Sequence, residues 1–456
     1  MRKQQGIVQL NGKSFSNMGN LRLLKISNVQ ISDDLEYLPN ELRLLKWRGY
    51  PLYTLPSSFE PKKLFELNMC YSNIKYLWKG EKKTIFSGCK GEPPKTLSSF
   101  IWSLLSPKRN PDCMGLLLPS LTGLSFLRTL DLSDSNLLEG GIPSDIGSLS
   151  SLEELNLSKN KFISLPESIS QLSKLKILFM EKCQRLKSLP KLPPEITFVG
   201  TEDCTALETI TSSAMEPSNS QCVALHFFNC FRLVDNHGKE NSLAVLLLSH
   251  RLQEISNRST QFHICLPGSE ILECFRHWSE GDEVKIGLSP SWFNDEFVGF
   301  VVFAVISNPA DINEFEVRCS ITIMARSYIF GFAISSFTAM QSDHLWLGYL
   351  PLEEIKKKDP DHRENLSIAS CIHATFLFIG RGYNYGDGNM VKRCGIRLVY
   401  NRDLEQFDGL QSTMEDSVFE QNHDVCIPTR NSVDFMMETP DILKGSIKNW
   451  YNRSMP

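Results

Sequence analysis

A segment with apolar residues at relative positions 1, 4, 6 and 11 returns along the first half of this 456-residue chain at intervals of little more than twenty residues. The clearest copies are LEELNLSKNKF (Leu152, Leu155, Leu157, Asn160, Phe162) and LRTLDLSDSNL (Leu127, Leu130, Leu132, Ser135, Leu137). Weaker copies start at Leu21, Leu42, Leu64, Leu175 and Ile196, so adjoining starts lie 21, 22, 25, 23 and 21 residues apart. No other feature constrains the fold as strongly. One such unit cannot bury its own apolar face, so copies must stack into a continuous core, and about three are the minimum.

The spacing also says how each copy is built. Positions 4 and 6 are two apart and share one face of a short strand. Position 9 is Ser72, Ser135, Asn160, Cys183 or Cys204, a small polar or thiol side chain that can bond backbone where the chain leaves the strand. An apolar-Pro pair follows most copies (Leu55-Pro56, Ile142-Pro143, Leu165-Pro166, Leu189-Pro190) and opens the convex-side return. These features predict an α/β leucine-rich-repeat solenoid over residues 21–210, with a parallel sheet on its concave face. Residues 1–20 read as an N-terminal linker segment. From Leu64 to Leu127 the step is 63 residues, through text rich in Gly, Pro, Ser and Lys, which places an inserted loop at about 80–116.

After Ile210 the period stops, and TSSAMEPSNSQ (211–221) reads as a polar linker. Residues 222–400 then carry FHICLPG, EVKIGLS, FVGFVVFAVI, FEVRCSITIMA, HATFLFIG and CGIRLVY, β-branched or aromatic runs split by Gly, Pro and Asn. That rhythm predicts a mostly β sandwich. NSLAVLLLSHRLQEISN, from Asn241 with Ser242 as a cap, predicts a helix. Residues 401–456 form an acidic, aperiodic tail expected to be partly disordered.

Charge and composition exclude several functions. Lys+Arg 48 against Asp+Glu 52 gives a net charge of -4, so no global basic field gathers phosphates and no nucleic-acid partner is predicted. Leu243–Leu248 and Phe297–Ile306 fall well short of the ~20 residues of a membrane helix, so no membrane span is predicted either. The start, MRKQQGIVQLNGKSF, lacks the apolar run of a secretory signal, which implies a cytoplasmic or nuclear protein. Thirteen cysteines without a CxxC pair read as reduced thiols rather than a disulfide framework or zinc site.

No motif for chemistry emerges. GIVQLNGKS approaches a phosphate-cradling loop, but Gly6 and Gly12 enclose five residues instead of four. HExxH, GxSxG and GxGxxG are missing from any strand-helix context, and His226 near Cys222 and Cys230 reads as a core patch rather than a metal site. Lys356, Lys357 and Lys358 are compensated by Glu353, Glu354, Asp359 and Asp361 and read as a solvated loop. No cofactor is expected, no catalytic acid/base pair is identifiable, and the chain reads as a non-enzyme.

A recognition face follows from the alternation instead. Positions 3, 5, 7 and 8 point away from the repeat core, which nominates Glu66, Asn68, Tyr71, Thr129, Asp131, Ser133, Asp134, Glu154, Asn156, Ser158, Lys159, Ile177, Phe179, Glu181 and Lys182 as partner-binding candidates. Ile177 and Phe179 are apolar on an otherwise polar face, so they meet a partner or pack against the sandwich. In either case Phe179→Glu is expected to abolish effector or domain contact and to leave the fold intact.

Both halves resemble one family, the plant intracellular immune receptors of the TIR, nucleotide-binding and leucine-rich-repeat type. In the repeats the resemblance rests on GNLRLLKIS (19–27), LPNELRLLKWRGYPLYTLPSSFEPKKLFELNMCYSNIKYLWKG (38–80) and LPESISQLSKLKILFMEKCQRLKSLP (165–190). Beyond them it rests on FHICLPGSEI, SPSWFNDEFVGFVVFAV, DHLWLGYL and VKRCGIRLVY, which look like that family's C-terminal jelly-roll/Ig-like domain, the C-JID. The resemblance implies a sensor whose repeats and sandwich bind a pathogen effector or a guarded host protein. It also implies that the family's NAD-cleaving TIR domain and nucleotide-binding module lie upstream of this chain, which then has the C-terminal portion alone. GSEILECF (268–275) departs from the family's GSEIPxWF, with Leu272 and Cys274 where Pro and Trp are expected. GGIPSDIGSLSSLEELNLSKN (140–160) resembles the repeat of extracellular plant receptors, so an extracellular-type repeat binding protein is one alternative, and a stand-alone decoy without the upstream domains is another.

Overall fold

The computed structural model describes residues 8–27, 29–52, 55–72, 123–210, 222–235, 243–255, 261–307, 315–324, 326–334, 340–359, 361–380 and 390–406. The chain divides into two compact units, Met1–Leu175 and Lys176–Pro456.

The first unit holds β1 (Val8–Leu10), β2 (Leu23–Ser27), β3 (Val29–Ile31), β4 (Leu44–Arg48), β5 (Glu66–Asn68), β6 (Thr129–Asp131) and β7 (Glu154–Asn156). β2, β4, β5, β6 and β7 stack in that order as a parallel sheet in which Leu45, Leu67, Leu130 and Leu155, the position-4 residues, align. Positions 1, 4 and 6 are sealed inside: Leu127, Leu130, Leu132, Leu152, Leu155 and Leu157 are fully buried. β5 pairs directly with β6, so the copies on either side of the 63-residue step are neighbours in the sheet. The insertion itself, about 80–116, lies outside the described residues. β1 and β3 pair in parallel, so the N-terminal linker segment contains a strand at Val8–Leu10.

Position 9 acts as the spacing predicts. The buried Asn160 amide donates to the carbonyls of Leu132 (2.9 Å) and Leu157 (2.8 Å), and its Oδ1 accepts from the backbone N–H of Ser135 (3.2 Å) and Leu137 (2.9 Å). Ser72 accepts from the Tyr50 N–H at 3.2 Å. On the convex side Pro143 and Pro166 immediately precede single 3-10 turns, Ser144–Ser148 and Glu167–Gln171, where a residue without an N–H leaves no donor orphaned.

The second unit holds β8 (Ile177–Phe179), β9 (Ser188–Leu189), β10 (Phe198–Gly200), β11 (Thr209–Ile210), β12 (Cys222–His226), β13 (Gln261–Pro267), β14 (His277–Glu280), β15 (Glu283–Gly287), β16 (Phe297–Ile306), β17 (Phe315–Ile323), β18 (Arg326–Ile334), β19 (His344–Pro351), β20 (Cys371–Gly380) and β21 (Val391–Tyr400). β8, β10, β12 and β13 run parallel, and the sheet then turns antiparallel through β19, β16, β21 and β14. A second, antiparallel sheet runs β15-β20-β17-β18.

The spacing starts the sandwich at Cys222, yet β12 pairs in parallel with β10 and extends the repeats by one more strand. Its sequence carries the signature: Cys222, Leu225, Phe227 and Cys230 occupy positions 1, 4, 6 and 9. The aperiodic residues ahead of it hide the match, and 211–221 lie outside the described residues.

Repeat and sandwich therefore share a sheet within this unit. Ile177, Phe179, Phe198 and Ala224, which alternate outward from the repeat core, join one buried cluster with Phe300, Val302, Ile321, Trp346, Phe376 and Ile396. The other face of β16 is buried as well, through Val301, Phe303 and Val305, and Phe303 meets Phe275 edge-on with centroids 4.6 Å apart. A central strand covered on both faces explains the unbroken apolar run FVGFVVFAVI. The predicted helix forms over Leu243–Ile255; Ser242 lies outside the described residues, as does the tail beyond Gln406, while Asn401–Gln406 is a short helix.

Candidate functional site

In the first unit the outward residues divide by depth. Lys46 pairs with Glu66, which is 7% exposed. One strand on, the Asp131 carboxylate accepts from the side-chain amides of Asn68 (2.7 Å) and Asn156 (3.1 Å) and from the Ser133 N–H (3.0 Å). The Asn156 Oδ1 accepts from the Ser158 N–H at 3.0 Å. This polar ladder ties one repeat to the next along the concave face. Burial raises the Asp131 carboxyl, against the opposing pull of the Ser133 bonds, Lys46 and Asn68. Asp131, Asn156 and Ser158 are buried, whereas Asn68, Thr129, Ser133 and Glu154 are half-buried.

The exposed row is position 8, where Tyr71, Asp134 and Lys159 sit with Gly49. All four have left-handed backbone: φ is 69° at Gly49, 58° at Tyr71, 52° at Asp134 and 59° at Lys159. The Arg48 guanidinium lies 4.5 Å from the Tyr71 ring centroid and the Lys159 ammonium 5.4 Å from it, with Lys159 donating to the Tyr71 hydroxyl at 3.4 Å. Arg48 occupies position 7 of the copy that starts at Leu42, an outward position, and is missing from the candidates named for the later copies.

In the second unit the candidates are placed otherwise. Ile177 and Phe179 are 3% and 0% exposed, and Phe179 packs on Phe198 at 5.2 Å. Of the two fates open to these apolar residues, packing against the sandwich is the one observed, so Phe179→Glu cannot spare the fold. Glu181 is also buried, and Lys182 is half-buried. The aromatic row continues from Phe198 to His226 (4.9 Å) and from His226 to Phe228 (5.7 Å).

His226 is buried, as its reading as a core patch expects, and it is joined in the core by His263 and His344, which the spacing does not foresee. His226 Nε2 and His263 Nε2 lie 3.0 Å apart, and His226 Nδ1 lies 3.8 Å from the buried Glu202 carboxylate. Desolvation holds His226 down to about 3 and His263 well below its ordinary value. His344 accepts from the Asn229 N–H at Nε2 (3.0 Å), with its Nδ1 beside the Ser342 carbonyl (2.9 Å). Cys204 and Cys230, the position-9 thiols, donate to the carbonyls of Met180 and Thr201 at 3.0 Å each, and burial pushes Cys230 up to about 12. Among the described residues no group of three or more His, Cys, Asp or Glu side chains is disposed to hold a metal, and no helix is long and apolar enough to cross a membrane.

The remaining motifs resolve locally. The turn at Asn11–Ser14 spends the Lys13 N–H on the Asn11 side chain (3.0 Å), and a Cβ at Gly12 would meet the Asp34 carbonyl; Gly6 lies outside the described residues. Lys356–Lys358 end a helix, Leu352–Lys358, rather than a loop, and Lys356 and Lys357 pair with Glu353 and Glu354 one turn earlier. In GSEILECF, Leu272 is buried and its carbonyl closes a turn with the Phe275 N–H at 2.9 Å.

Family comparison agrees with this geometry. Residues 266–405 match the model of the C-JID domain, and residues 63–82 match that of the Leucine Rich Repeat. "Disease resistance protein RPS4" of Arabidopsis thaliana is 24% identical across 88% of this chain and 45% of its own length. "Disease resistance protein RPP2A" of the same plant is 34% identical over 41% of this chain and 17% of its own length. "TMV resistance protein N" of Nicotiana glutinosa is 34% identical over 40% and 16%. The chain thus spans about half or less of the curated relatives it matches.

Proposed function

We propose that this chain, which corresponds to the leucine-rich-repeat and C-JID portion of plant TIR-type nucleotide-binding resistance receptors, is a recognition module that binds a protein in plant defence. The partner is a pathogen effector or a guarded host protein, met in the cytoplasm or nucleus. The observation that carries the reading is the similarity to a disease-resistance protein over 88% of the chain, through both the repeats and the sandwich.

The geometry supports a division of labour. Glu154, Lys159, Asp134 and Tyr71 offer half-buried or exposed side chains on the first unit's concave face, above a rigid polar ladder. Preorganised side chains lose little entropy on binding. Ile177 and Phe179 hold the second unit together and are removed from the contact set. Residues that bind in the sandwich belong to its loops, the segments free of packing duty.

A library of pathogen-secreted proteins displayed on yeast and selected against the full chain tests this. Binders are expected that lose at least tenfold affinity for Asp134→Lys/Glu154→Lys while still recognising chain with the substitution Arg402→Ala, far away in sequence on an exposed site. A set of binders all indifferent to the concave double substitution refutes the reading.

A further inference from the structure

The concave rim of the first unit holds an arrangement that its own fold does not explain. Arg48 and Lys159, two cations from different repeats, converge on one Tyr71 ring at 4.5 and 5.4 Å. Each is drawn to the ring's negative face or its hydroxyl, but the two repel each other. Among the described residues neither takes part in an ion pair with a carboxylate, although pairs such as Lys46–Glu66 form close by. Asp134 is the exposed carboxylate of the same row, and Asp131 is committed to Asn68, Asn156 and Ser133.

Tyr71 itself is strained. Gly49 and Asp134 suit a left-handed position, whereas a bulky aromatic residue at φ 58° is an outlier. Its side chain stays 39% exposed, so the strain is not offset by burying the ring. The repeat imposes this conformation at position 8, as it does at Gly49, Asp134 and Lys159, so the backbone holds the ring at the rim. Because Lys159 donates to the Tyr71 oxygen, the hydroxyl hydrogen is directed elsewhere. Guanidinium, ammonium and phenol together form a set of donors around one place, with no acceptor among the described residues to receive the phenol proton.

We propose that Arg48, Tyr71 and Lys159 form a carboxylate subsite that captures an Asp or Glu side chain of the partner protein. The inference rests on the concave face being the recognition surface and adds the chemistry of what it recognises: an acidic segment. Charge complementarity selects that occupant, since a charge-assisted bond from Arg or Lys to carboxylate supplies the missing counter-charge and accepts the phenol hydrogen.

The test is fluorescence anisotropy of the full chain with a labelled, end-blocked hexaglutamate at low salt, with hexaglutamine as the neutral control and inorganic phosphate as competitor. Hexaglutamate is expected to bind and hexaglutamine not to. Arg48→Gln and Lys159→Gln are each expected to weaken binding about tenfold, and Tyr71→Phe about threefold with the unfolding midpoint unchanged. Tyr71→Gly, which relieves the backbone strain, should abolish binding while raising the midpoint. Absence of hexaglutamate binding overturns the proposal. So does wild-type affinity in the Arg48→Gln and Lys159→Gln variants, or displacement by phosphate at concentrations equal to those of glutamate residues, which would mark a small-anion site. The yeast-displayed binders read the concave surface independently, so their dependence on Asp134 and Glu154 can survive when the carboxylate subsite fails.

Discussion

Asn160→Ala tests the repeat architecture where it is most exposed to error. The wild-type side chain serves five backbone groups at 2.8–3.3 Å, two amides and three carbonyls, and is 2% exposed. Alanine leaves all five without this partner. A buried unsatisfied group costs about 1–3 kcal/mol, and carbonyls tolerate the loss better than amides, so the two amides dominate and the total is about 3–5 kcal/mol. Asn160→Cys should lose less, about 2 kcal/mol, because Cys204 shows at the same position of a later repeat how a thiol donates to a carbonyl. Urea unfolding followed by far-UV circular dichroism reads both variants as a shift in midpoint at constant slope. A loss under about 1 kcal/mol for alanine, or equal losses for alanine and cysteine, would refute the view that position 9 pins the turn.

Three further outcomes follow from the second unit. Phe179→Ala should cost about 3–5 kcal/mol, and Phe179→Glu should prevent stable folding, both measured by thermal unfolding, because the ring is fully buried beside Phe198. Gly395→Ala should destabilise the sandwich by about 2 kcal/mol or more, since a Cβ there meets the Phe303 ring and the His277 carbonyl. Burial holds His344 down to about 4, so the folded chain keeps it neutral while the unfolded chain takes a proton below about 6.5. Its contribution is therefore complete above pH 6.5 and is lost as pH falls towards 4, with about 2 kcal/mol gone between pH 7 and 5; His344→Gln should flatten that part of the stability-pH curve.

The repeats are legible because their period converts directly into burial: Leu127, Leu130 and Leu132 read as core from spacing alone and are fully buried. The sandwich strands at 261–267, 283–287, 297–306, 315–323, 371–380 and 391–400 are legible for a similar reason, as apolar or alternating runs. Period alone does not reveal what lies over the sheet. Ile177 and Glu154 both occupy position 3, yet Ile177 is sealed in a core and Glu154 is half-buried, because Ile177 joins a cluster most of whose members lie on elements more than a hundred positions later. The His226–His263 pair escapes for the same cause, being brought together only when β12 and β13 pair. Arg48 escapes because its importance lies in a ring contributed by the next repeat. Backbone conformation is hidden too: nothing in the letter Tyr announces a left-handed residue at 71.

The central claim is that the first unit's concave face meets a protein partner while the corresponding face from Ile177 onward is structural. Hydrogen exchange of the full chain, alone and bound to a selected pathogen-secreted protein, tests it most directly. The account predicts new protection at 129–134 and 154–159, with 177–179 and 198–200 already protected in the free chain and unchanged on binding. Protection that appears only outside the concave repeats, or rapid exchange at 177–179 in the free chain that slows when the partner binds, would contradict it.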